Sequence, residues 1–247
     1  MVRTVKVALV SDIHGNAVAF DAVLDDISDH EVDAIVCLGD VATLGPEPSA
    51  VLDRLRRLGC LCVRGNHDDY LLQPDLVDDH SESPDIREAI NWARDQLSGP
   101  DLDQVAGFVD RANVELDGTV LTVFHGCPDS NTVDLLATTP PEDLDLLLSE
   151  TGALLAGGHT HLQMVRQHRG KLLVNPGSVG LPFVERVAGR PPTLMAGIAE
   201  YAIVEVDAGR VGVSLRRVPV SLAAVSAAVH ASQNPFGPAL LAAWAGP

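Results

Sequence analysis

The first third of the chain repeats one pattern, an apolar β-branched run followed by a segment with helical spacing of apolar residues. Val5–Val10 shows no alternation of polar and apolar residues, which is typical of a strand buried on both faces. Residues 17–27 place apolar side chains at helical spacing between aspartates. Residues 34–38 and 60–63 are further strands, and 48–58 is a further helix. Units of this kind predict a parallel sheet with right-handed crossovers.

The remaining sequence predicts a second sheet and one large domain over residues 1–230. Hairpins are expected at 113–124 and 164–174 with a buried strand at 153–156, and a last hairpin at 201–217 precedes a helix at 222–229. The acidic stretch 68–99, with a helix at 86–97, is interpreted as an insertion over one end of the sheet. The Ala-, Gly- and Pro-rich residues 231–247 are expected to form a loosely attached C-terminal tail.

The charge balance restricts the partners. Acidic residues number 34 and basic residues 17, which gives a formal net charge of −17. A surface for long nucleic acid or anionic lipid needs clustered Lys and Arg, so we expect no stable duplex nucleic acid complex and no membrane attachment. Small phosphorylated substrates remain compatible with this charge because a bound metal ion overrides it locally.

The cysteines and the apolar segments indicate a compartment. The four cysteines show no zinc-ribbon spacing, and we expect them to be reduced in a cytoplasmic protein. No apolar stretch approaches the roughly 18 residues of a transmembrane helix, and the first ten residues lack the apolar core of a signal peptide. The sequence is also compatible with a homo-oligomer.

An unusual set of polar side chains follows the predicted strands. The carboxyl ends of parallel strands meet at one edge of a sheet, where ligands bind, so these residues are expected to lie together although they are distant in sequence. Five of the nine histidines belong to the set. Its members are Asp12, His14, Asp40, Asn66, His67, His125, His159 and His161.

The chemistry of this set predicts a metal site. Imidazole, carboxylate and amide oxygen together suit divalent transition metals rather than calcium, with Mn first and Fe, Zn, Ni or Co as alternatives. Asp40 follows the middle one of the three strands and is the natural ligand to bridge two ions. Two ions about 3.5 to 4 Å apart lower the pKa of a bridging water and hold a phosphoryl group for attack by the resulting hydroxide. This predicts hydrolysis of small phosphate esters.

The ordered motifs resemble those of a known family. Asp12-x-His14, Gly39-Asp40, Gly65-Asn66-His67-Asp68, His125-Gly126 and Gly158-His159-Thr160-His161 are similar to the motifs of the calcineurin-like metallophosphoesterase superfamily. His14-Gly15-Asn16, Gly45-Pro46 and Asn175-Pro176-Gly177-Ser178-Val179-Gly180 resemble its small bacterial and archaeal phosphodiesterase branch. The motifs span residues 12–180, and nothing beyond about residue 185 carries the resemblance.

The resemblance implies an α/β fold, a four-layer αββα sandwich of two mixed sheets flanked by helices. It also implies that one ion is held by Asp12, His14, Asp40 and His161. The second ion is then held by Asp40, Asn66, His125 and His159. His67 matches the family's non-ligand histidine, which stabilises the phosphoryl charge and protonates the leaving oxygen, and Asp68 is a candidate to orient it.

Two other functions remain open at this point. The fold also has members that lost metal ligands and became protein-binding scaffolds, such as the retromer subunit, but every motif position is intact here, including His67. A nuclease of the same superfamily is the second alternative, and the net charge of −17 argues against it. Departures from the branch occur at Cys127-Pro128 and around Pro182, which affects the expected substrate contacts rather than the metal ligands.

Overall fold

The computed structural model describes residues 4–79, 84–186 and 193–245, and the rest of the chain lies outside this description. In chain order the strands are β1 (Val5–Val10), β2 (Ala34–Cys37), β3 (Leu61–Cys62), β4 (Ala112–Leu116), β5 (Thr119–Val123), β6 (Leu154–Ala156), β7 (Gln163–His168), β8 (Lys171–Pro176), β9 (Phe183–Glu185), β10 (Thr193–Leu194), β11 (Ile198–Asp207) and β12 (Arg210–Pro219). The helices are α1 (Ala17–Ser28), α2 (Pro48–Leu58), α3 (Asn66–Leu72), α4 (Pro84–Asp95), α5 (Gly99–Ala106), α6 (Pro141–Leu147), α7 (Leu222–Ser232) and α8 (Gly237–Ala245), with a 3₁₀ helix at Pro74–Asp79.

The strands form two five-stranded mixed sheets. The first has the order β12-β11-β1-β2-β3 and the second the order β4-β5-β6-β8-β7, while β9 and β10 form a small ribbon. The three strands β1, β2 and β3 are parallel, as the sequence predicts. The last hairpin, β11 and β12, joins the first sheet because β11 pairs antiparallel with β1. In the second sheet, β5, β6 and β8 are parallel and the two outer strands are antiparallel.

The strand β1 shows why its sequence is apolar throughout. Val7 and Leu9 pack into the cluster between the two sheets, whereas Ala8 and Val10 pack against the helices on the other face. Side chains alternate between faces along a strand, so a strand covered on both sides needs apolar residues at every position. The second sheet contributes Leu121, Val123, Leu154, Ala156 and Val174 to the cluster between the sheets.

Helices cover the outer face of each sheet. The helix α1 begins after Asn16, whose side chain accepts a hydrogen bond from the amide of Ala19 at 3.0 Å, and it buries Phe20 against the first sheet. On the other side of the molecule, α6 packs Leu144 into a cluster that also contains Leu155 of β6. The order helix, sheet, sheet, helix confirms the predicted four-layer sandwich. In the described part of the chain, no helix is long and apolar enough to cross a membrane.

The predicted insertion is helical but not wholly solvent-exposed. Helices α3 and α4 and the 3₁₀ helix occupy it, with residues 80–83 outside the description. Ala89 and Ile90 of α4 are fully buried, and Asp68 is also buried although it belongs to the acidic run. The third strand is shorter than predicted, since only Leu61–Cys62 pair with β2 at the edge of the sheet.

The expectation of a loosely attached tail is wrong for the described residues. Helix α8 buries Leu240 and Trp244 in a cluster with Val225 of α7 and Leu181. Asn234 is 4% exposed and joins this segment to a loop near the strand ends. The Ala-rich composition suggested weak packing, but leucine and tryptophan four residues apart lie on one helical face and supply enough apolar surface to dock it.

Candidate metal centre

The strand ends bring the predicted site residues to one edge of the sandwich. Asp12 and His14 follow β1, Asp40 follows β2, and Asn66 and His67 form the first turn of α3 directly after β3. The second sheet contributes three histidines from the opposite side. His125 follows β5, and His159 and His161 follow β6.

Left-handed backbone marks most of these positions. Glycine tolerates positive φ, whereas other residues lose roughly 1 to 2 kcal/mol there. Backbone strain of this kind concentrates at functional sites, where the surrounding structure maintains it to aim side chains. Values of φ between 47° and 68° occur at Asp12, His14, Asp40, His159 and His161.

The first cluster contains the four residues expected to hold one ion. Nε2 of His14 lies 3.1 Å from Nε2 of His161, 3.8 Å from Oδ2 of Asp40 and 4.0 Å from Oδ1 of Asp12. Oδ1 of Asp12 is 3.2 Å from Nε2 of His161. Metal–ligand bonds of about 2.0–2.2 Å place neighbouring ligand atoms roughly 3–4 Å apart. The spacing therefore fits ligand atoms around a single ion.

The second cluster shares Asp40 with the first. Nε2 of His125 lies 3.4 Å from Oδ2 of Asp40, and one ligand atom of His159 completes a group within 4.8 Å. Asn66 lies beside this group, because the amide of the next residue, His67, donates to Oδ1 of Asp40 at 2.9 Å. Asp40 is thus the residue common to both clusters.

Unpartnered buried atoms test whether the residues suit metal ions. Oδ1 of Asp12, Oδ1 of Asn66 and Nε2 of His125 are buried and have no hydrogen-bond partner. A buried polar atom without a partner costs about 1–3 kcal/mol, so three at one place indicate a site suited to bind a ligand. All three atoms are donors of electron pairs of the type that divalent transition metals bind. The site fits two such ions.

Hydrogen bonds fix which nitrogen of each histidine is free. Nδ1 of His125 donates to the carbonyl of Leu38 at 2.6 Å, and Nδ1 of His161 donates to the carbonyl of Leu181 at 2.7 Å. A neutral imidazole carries one proton, so the lone pair of each ring lies on Nε2, inside the cluster. Backbone carbonyls in this position are the usual partners that orient metal-binding histidines.

The electrostatics keep the carboxylates ionised. Burial opposes ionisation of Asp12, but His161 and His125 outweigh it and lower its pKa to about 2. The pKa of Asp40 is also well below its ordinary value, because His125 and His67 outweigh the burial. The charges of Asp40 and Asp12 in turn raise the pKa of His125 to about 10 against its burial. An ion here competes with that proton, so metal binding releases protons.

Asp68 does not orient His67, contrary to the expectation from sequence. Its carboxylate accepts hydrogen bonds from the amides of Asp40 at 2.9 Å, Val41 at 3.0 Å and Gly65 at 2.8 Å. It therefore joins the ends of β2 and β3 and holds the backbone that presents Asp40. Burial and the neighbouring charge of Asp40 raise the pKa of Asp68 to about 7.

Thr43 contacts His67 instead. The hydroxyl Oγ1 of Thr43 lies 3.0 Å from Nδ1 of His67 and 3.2 Å from Nδ1 of His14. Thr43 is fully buried in the loop after Asp40, and no motif of the sequence analysis includes it. The sequence signal was weak, since a single threonine in a loop has no characteristic spacing.

Two other supporting residues were also missed. Oδ1 of Asp134 lies 3.3 Å from Nε2 of His159 and 3.1 Å from a guanidinium nitrogen of Arg186. Asn234 donates from Nδ2 to the carbonyls of Leu44 and Gly45 at 2.7 and 3.0 Å, which clamps the loop that carries Thr43. Both residues reach the site through folds of the chain that no local pattern reveals.

The Asn175–Gly180 motif packs behind the ligands and supports them. Nδ2 of Asn175 donates to the carbonyl of Gly158 at 2.7 Å and to the hydroxyl of Thr160 at 3.0 Å. The hydroxyl of Ser178 donates to the carbonyl of Asp12 at 2.7 Å. The motif therefore connects the loops that carry the first cluster.

Glu200 of β11 lies directly below this motif. Its amide donates to the carbonyl of Ser178 at 2.9 Å, and its Oε1 accepts a hydrogen bond from Arg217 at 2.9 Å. The side chain is 1% exposed and Oε2 has no hydrogen-bond partner in the described structure. Burial raises the pKa of Glu200 from 4.5 to about 7, although Arg217 opposes the shift.

We expect the difference in unfolding free energy between Glu200→Gln and the wild type to shift in favour of the variant as the pH rises from 5 to 8. The folded protein holds the Glu200 proton up to about pH 7, whereas the unfolded chain releases it near 4.5. The free energy of unfolding of the wild type therefore falls by about 2 to 3 kcal/mol as the pH rises through this window. The variant has no carboxyl group here and does not share this loss. Urea unfolding at both pH values measures the difference, with the exposed Glu205→Gln on the same strand as control. A difference independent of pH would contradict the buried carboxyl.

A cavity of about 680 Å³ opens beside the second cluster. Arg64 is held at its edge by hydrogen bonds to the carbonyls of Ala106 and Phe108 at 2.8 and 2.7 Å. Its second guanidinium nitrogen lies 3.9 Å from Oδ1 of Asp69. The cavity is lined mainly by polar residues, namely Arg64, Asp110, Arg111, His125, Cys127, Pro128, Asp129, Ser130 and Asn131.

The fold and the centre together define a class of protein. The model of the calcineurin-like phosphoesterase superfamily domain matches residues 5–209. The chain belongs to this superfamily, and membership implies a metal-dependent hydrolase of phosphate esters.

Similar proteins occur in bacteria and archaea. The crystal structure of a metallophosphoesterase from Sphaerobacter thermophilus is 26% identical, with a TM-score of 0.76 over 99% of both chains. An uncharacterised protein of Methanocaldococcus jannaschii is 29% identical over 191 residues, which is 71% of this chain and 76% of that protein. A symmetrical bis(5′-nucleosyl)-tetraphosphatase from Erwinia tasmaniensis is 36% identical over 102 residues, 36% of this chain and 37% of that enzyme.

Proposed function

We propose that this protein is a dinuclear metal-dependent phosphoesterase that hydrolyses compact phosphodiesters. Asp12, His14, Asp40 and His161 would hold one ion, and Asp40, Asn66, His125 and His159 the other. The observation that carries the proposal is that two groups of ligand atoms share Asp40. The unpartnered buried atoms of Asp12, Asn66 and His125 support it from independent contacts.

The chain and the ions divide the chemistry between them. When bound, two such ions supply an activated water and withdraw electron density from the phosphoryl oxygens. Asp40 would offer its charge to both ions, while its Oδ1 accepts a hydrogen bond from the amide of His67. This bond ties the backbone of His67 to the metal centre. From there, the ring of His67 stabilises the phosphoryl charge and protonates the leaving oxygen.

The shape and charge of the site favour a compact diester over other phosphate esters. A cavity of about 680 Å³ beside His125 exceeds the needs of a phosphate group and accommodates a second substituent. Arg64 and Arg111 line this cavity together with Asp110 and Asp129, so its charged side chains balance, whereas the overall charge of −17 repels long nucleic acid. The partial similarity to a dinucleoside tetraphosphatase also favours a phosphate with two substituents.

The ligand types and the free cysteines support two further parts of the proposal, namely the metal and the cellular compartment. Histidine, carboxylate and amide ligands suit divalent transition metals, and we propose Mn²⁺ with Fe, Zn, Ni and Co as alternatives. The cysteines Cys37, Cys60, Cys62 and Cys127 are all free, which is consistent with a reducing cytoplasm.

An activity panel tests this proposal. Protein stripped with a chelator is expected to be inactive, and Mn²⁺ should restore hydrolysis with saturation at two ions per chain. We expect bis-nitrophenyl phosphate to be cleaved with a higher kcat/KM than nitrophenyl phosphate, because only the diester occupies the cavity. Fe, Zn, Ni, Co and Mg are compared under the same conditions, and diadenosine tetraphosphate is tested as a larger substrate.

The panel also separates the alternatives. Unchanged activity in stripped protein would exclude the metal mechanism. Two bound ions without hydrolysis of any ester would favour a protein-binding scaffold. Efficient cleavage of long DNA would favour a nuclease, and a higher kcat/KM for the monoester would contradict the diester preference.

A further inference from the structure

We propose that the substrate is a phosphodiester of two unlike alcohols, one rich in hydroxyl groups and one apolar. The cavity beside His125 would hold the first alcohol, and a separate apolar groove between residues 133 and 147 would hold the second. The groove lies outside all the metal-binding motifs. The inference rests on the proposed function and names its substrate class from the chemistry of these two sites.

The metal centre is open to solvent on one side. Of its eight residues, His67 and His159 are partly exposed, whereas the other six are buried. A phosphate ester therefore approaches the centre past these two rings. The groups that hold its two alcohols have to lie next to this opening.

The loop that follows β5 borders the opening. Nδ2 of Asn131 donates to Oδ2 of Asp69 at 2.7 Å, which ties the loop to α3, the helix that carries His67. Further along the loop, Oδ1 of Asp134 lies 3.3 Å from Nε2 of His159. The loop thus reaches from the helix of one partly exposed histidine to the ring of the other.

Close backbone contacts fix the shape of this loop. A side chain at Gly126 would place its Cβ 2.8 Å from the carbonyl oxygen of Ser130 and 2.9 Å from that of Val133. Cys127 and Ser130 exchange backbone hydrogen bonds of 2.7 and 3.2 Å. The two sites that the loop lines are therefore present before a substrate binds.

The first part of the loop lines the polar cavity, whose charged side chains are paired with one another. Nη1 of Arg111 lies 3.2 Å from Oδ1 of Asp129, and Nη1 of Arg64 lies 4.0 Å from Oδ1 of Asp110. An additional anion gains little from charges that are already paired. A neutral alcohol with several hydroxyl groups fits better, because each carboxylate and guanidinium has more hydrogen-bonding positions than one ion pair uses.

The next part of the loop lines a groove of about 460 Å³, most of whose surface is apolar. Binding sites for small molecules typically measure roughly 300–1,000 Å³, so the groove is large enough for an aromatic ring or a short alkyl chain. Its apolar lining residues are Val133, Leu136, Pro140, Leu146 and Leu147.

Leu146 gives the groove an exposed apolar wall. This side chain is 76% exposed, more than any other large apolar residue in the described part of the chain. Arg166 fixes the backbone of the groove by donating to the carbonyls of Leu136 and Thr139, both at 2.7 Å. A bound apolar group would cover Leu146, and the removal of apolar surface from water stabilises such a complex.

Asp134 joins the groove to the metal centre. It lines the groove and contacts His159, and its charge is paired with Arg186 at 3.1 Å. His125 lines the polar cavity, and the ring centroids of His125 and His159 are 5.2 Å apart. A phosphate bound at the second cluster would thus have a different site beside each of these rings, which matches a diester of two unlike alcohols.

Methyl NMR of metal-stripped protein tests the groove without any measurement of activity. Leucine and valine methyl groups are labelled with ¹³C, and nitrophenol is added as the free apolar alcohol. We expect the methyl signals of Val133, Leu136, Leu146 and Leu147 to shift, and those of Leu58 on α2 to stay unchanged. The shifts should be weaker in Leu146→Ser. Absence of shifts at the groove, or equal shifts on addition of glycerol, would overturn the proposal.

A matched pair of substrates tests the polar cavity. Glyceryl nitrophenyl phosphate and propyl nitrophenyl phosphate have the same leaving group, and only the first carries hydroxyl groups on its second alcohol. We expect kcat/KM to be about 10-fold higher for the glyceryl ester, because the propyl ester leaves polar groups of the cavity without partners. Equal values, or a higher value for the propyl ester, would overturn the assignment of the hydroxyl-rich alcohol.

Leu146→Ser tests the groove in the reaction. We expect kcat/KM for glyceryl nitrophenyl phosphate to fall about 10-fold, mainly through KM, which is the size of effect that a lost hydrophobic contact has in a pocket. The loss should be smaller for bis-glyceryl phosphate, which has no apolar group. Leu58→Ser, at an exposed leucine outside the groove, is the matched control and should leave both rates unchanged.

The outcomes separate this inference from the proposed function. Losses of equal size on the two esters, or no loss on either, would refute the role of the groove and leave the phosphoesterase in place. A wild-type protein that hydrolyses no ester would refute the proposed function, and the nitrophenol shifts would still decide whether the groove binds an apolar alcohol.

Discussion

Replacing Asp40 with asparagine is expected to abolish metal binding and turnover together. Oδ1 of Asp40 accepts the amide of His67, so the asparagine oxygen is expected to keep that place and its NH₂ to face both clusters. An uncharged NH₂ group cannot bind a cation, and the site loses the one charge that its two halves share. The expected loss in kcat/KM is about 10³-fold or more, because charge stabilisation by such ions is worth several kcal/mol. Metal analysis and kinetics on the same preparation measure both effects.

Asp101→Asn is the matched control for this experiment. Asp101 is buried to a similar degree, but it caps α5 and pairs with Arg56, away from the metal centre. We expect this variant to lose stability and to retain both ions and full activity. Two tightly bound ions in Asp40→Asn would show that Asp40 does not join the two halves of the site.

Replacing His67 with alanine should slow the reaction without removing a metal ligand. A general acid is typically worth about 10²- to 10⁴-fold in rate, and we expect a loss of this size for an alkyl phosphodiester. The loss should be smaller for a nitrophenyl ester, whose leaving oxygen needs no proton. Metal content and phosphate binding are expected to be unchanged, because His67 contributes no atom to either group of candidate ligands.

The pattern of losses assigns the role of His67. His168→Ala is the control. His168 of β7 is a partly buried histidine that pairs with Asp145 of α6, outside the site. Equal losses on the two esters would assign His67 to stabilisation of the phosphoryl charge rather than to proton donation. Unchanged rates with intact metal content would remove it from the mechanism.

Local sequence patterns predicted the strand ends and therefore the metal centre. Asp12, Asp40 and His125 each follow an apolar run directly, and parallel strands bring their carboxyl ends together whatever the details of the connections. Strand burial also predicted the first sheet correctly, because β1 is apolar on both faces. These features depend on short-range periodicity, which a sequence displays openly.

The residues that support the centre depended on the path of the loops and could not be predicted. Asp68 points to backbone amides rather than to His67, and Thr43 takes its place, because the loop after Asp40 turns through a left-handed Leu44. Asn234 meets that loop from 190 residues away. Contacts of this kind are decided by tertiary packing, and composition alone misled the interpretation of the C-terminal segment.

Anomalous diffraction from crystals of the manganese-loaded protein tests the central claim most directly. The account predicts two manganese peaks on either side of the Asp40 carboxylate, one next to Asp12, His14 and His161 and the other next to Asn66, His125 and His159. A single peak at full loading, or two peaks that do not share Asp40, would contradict it.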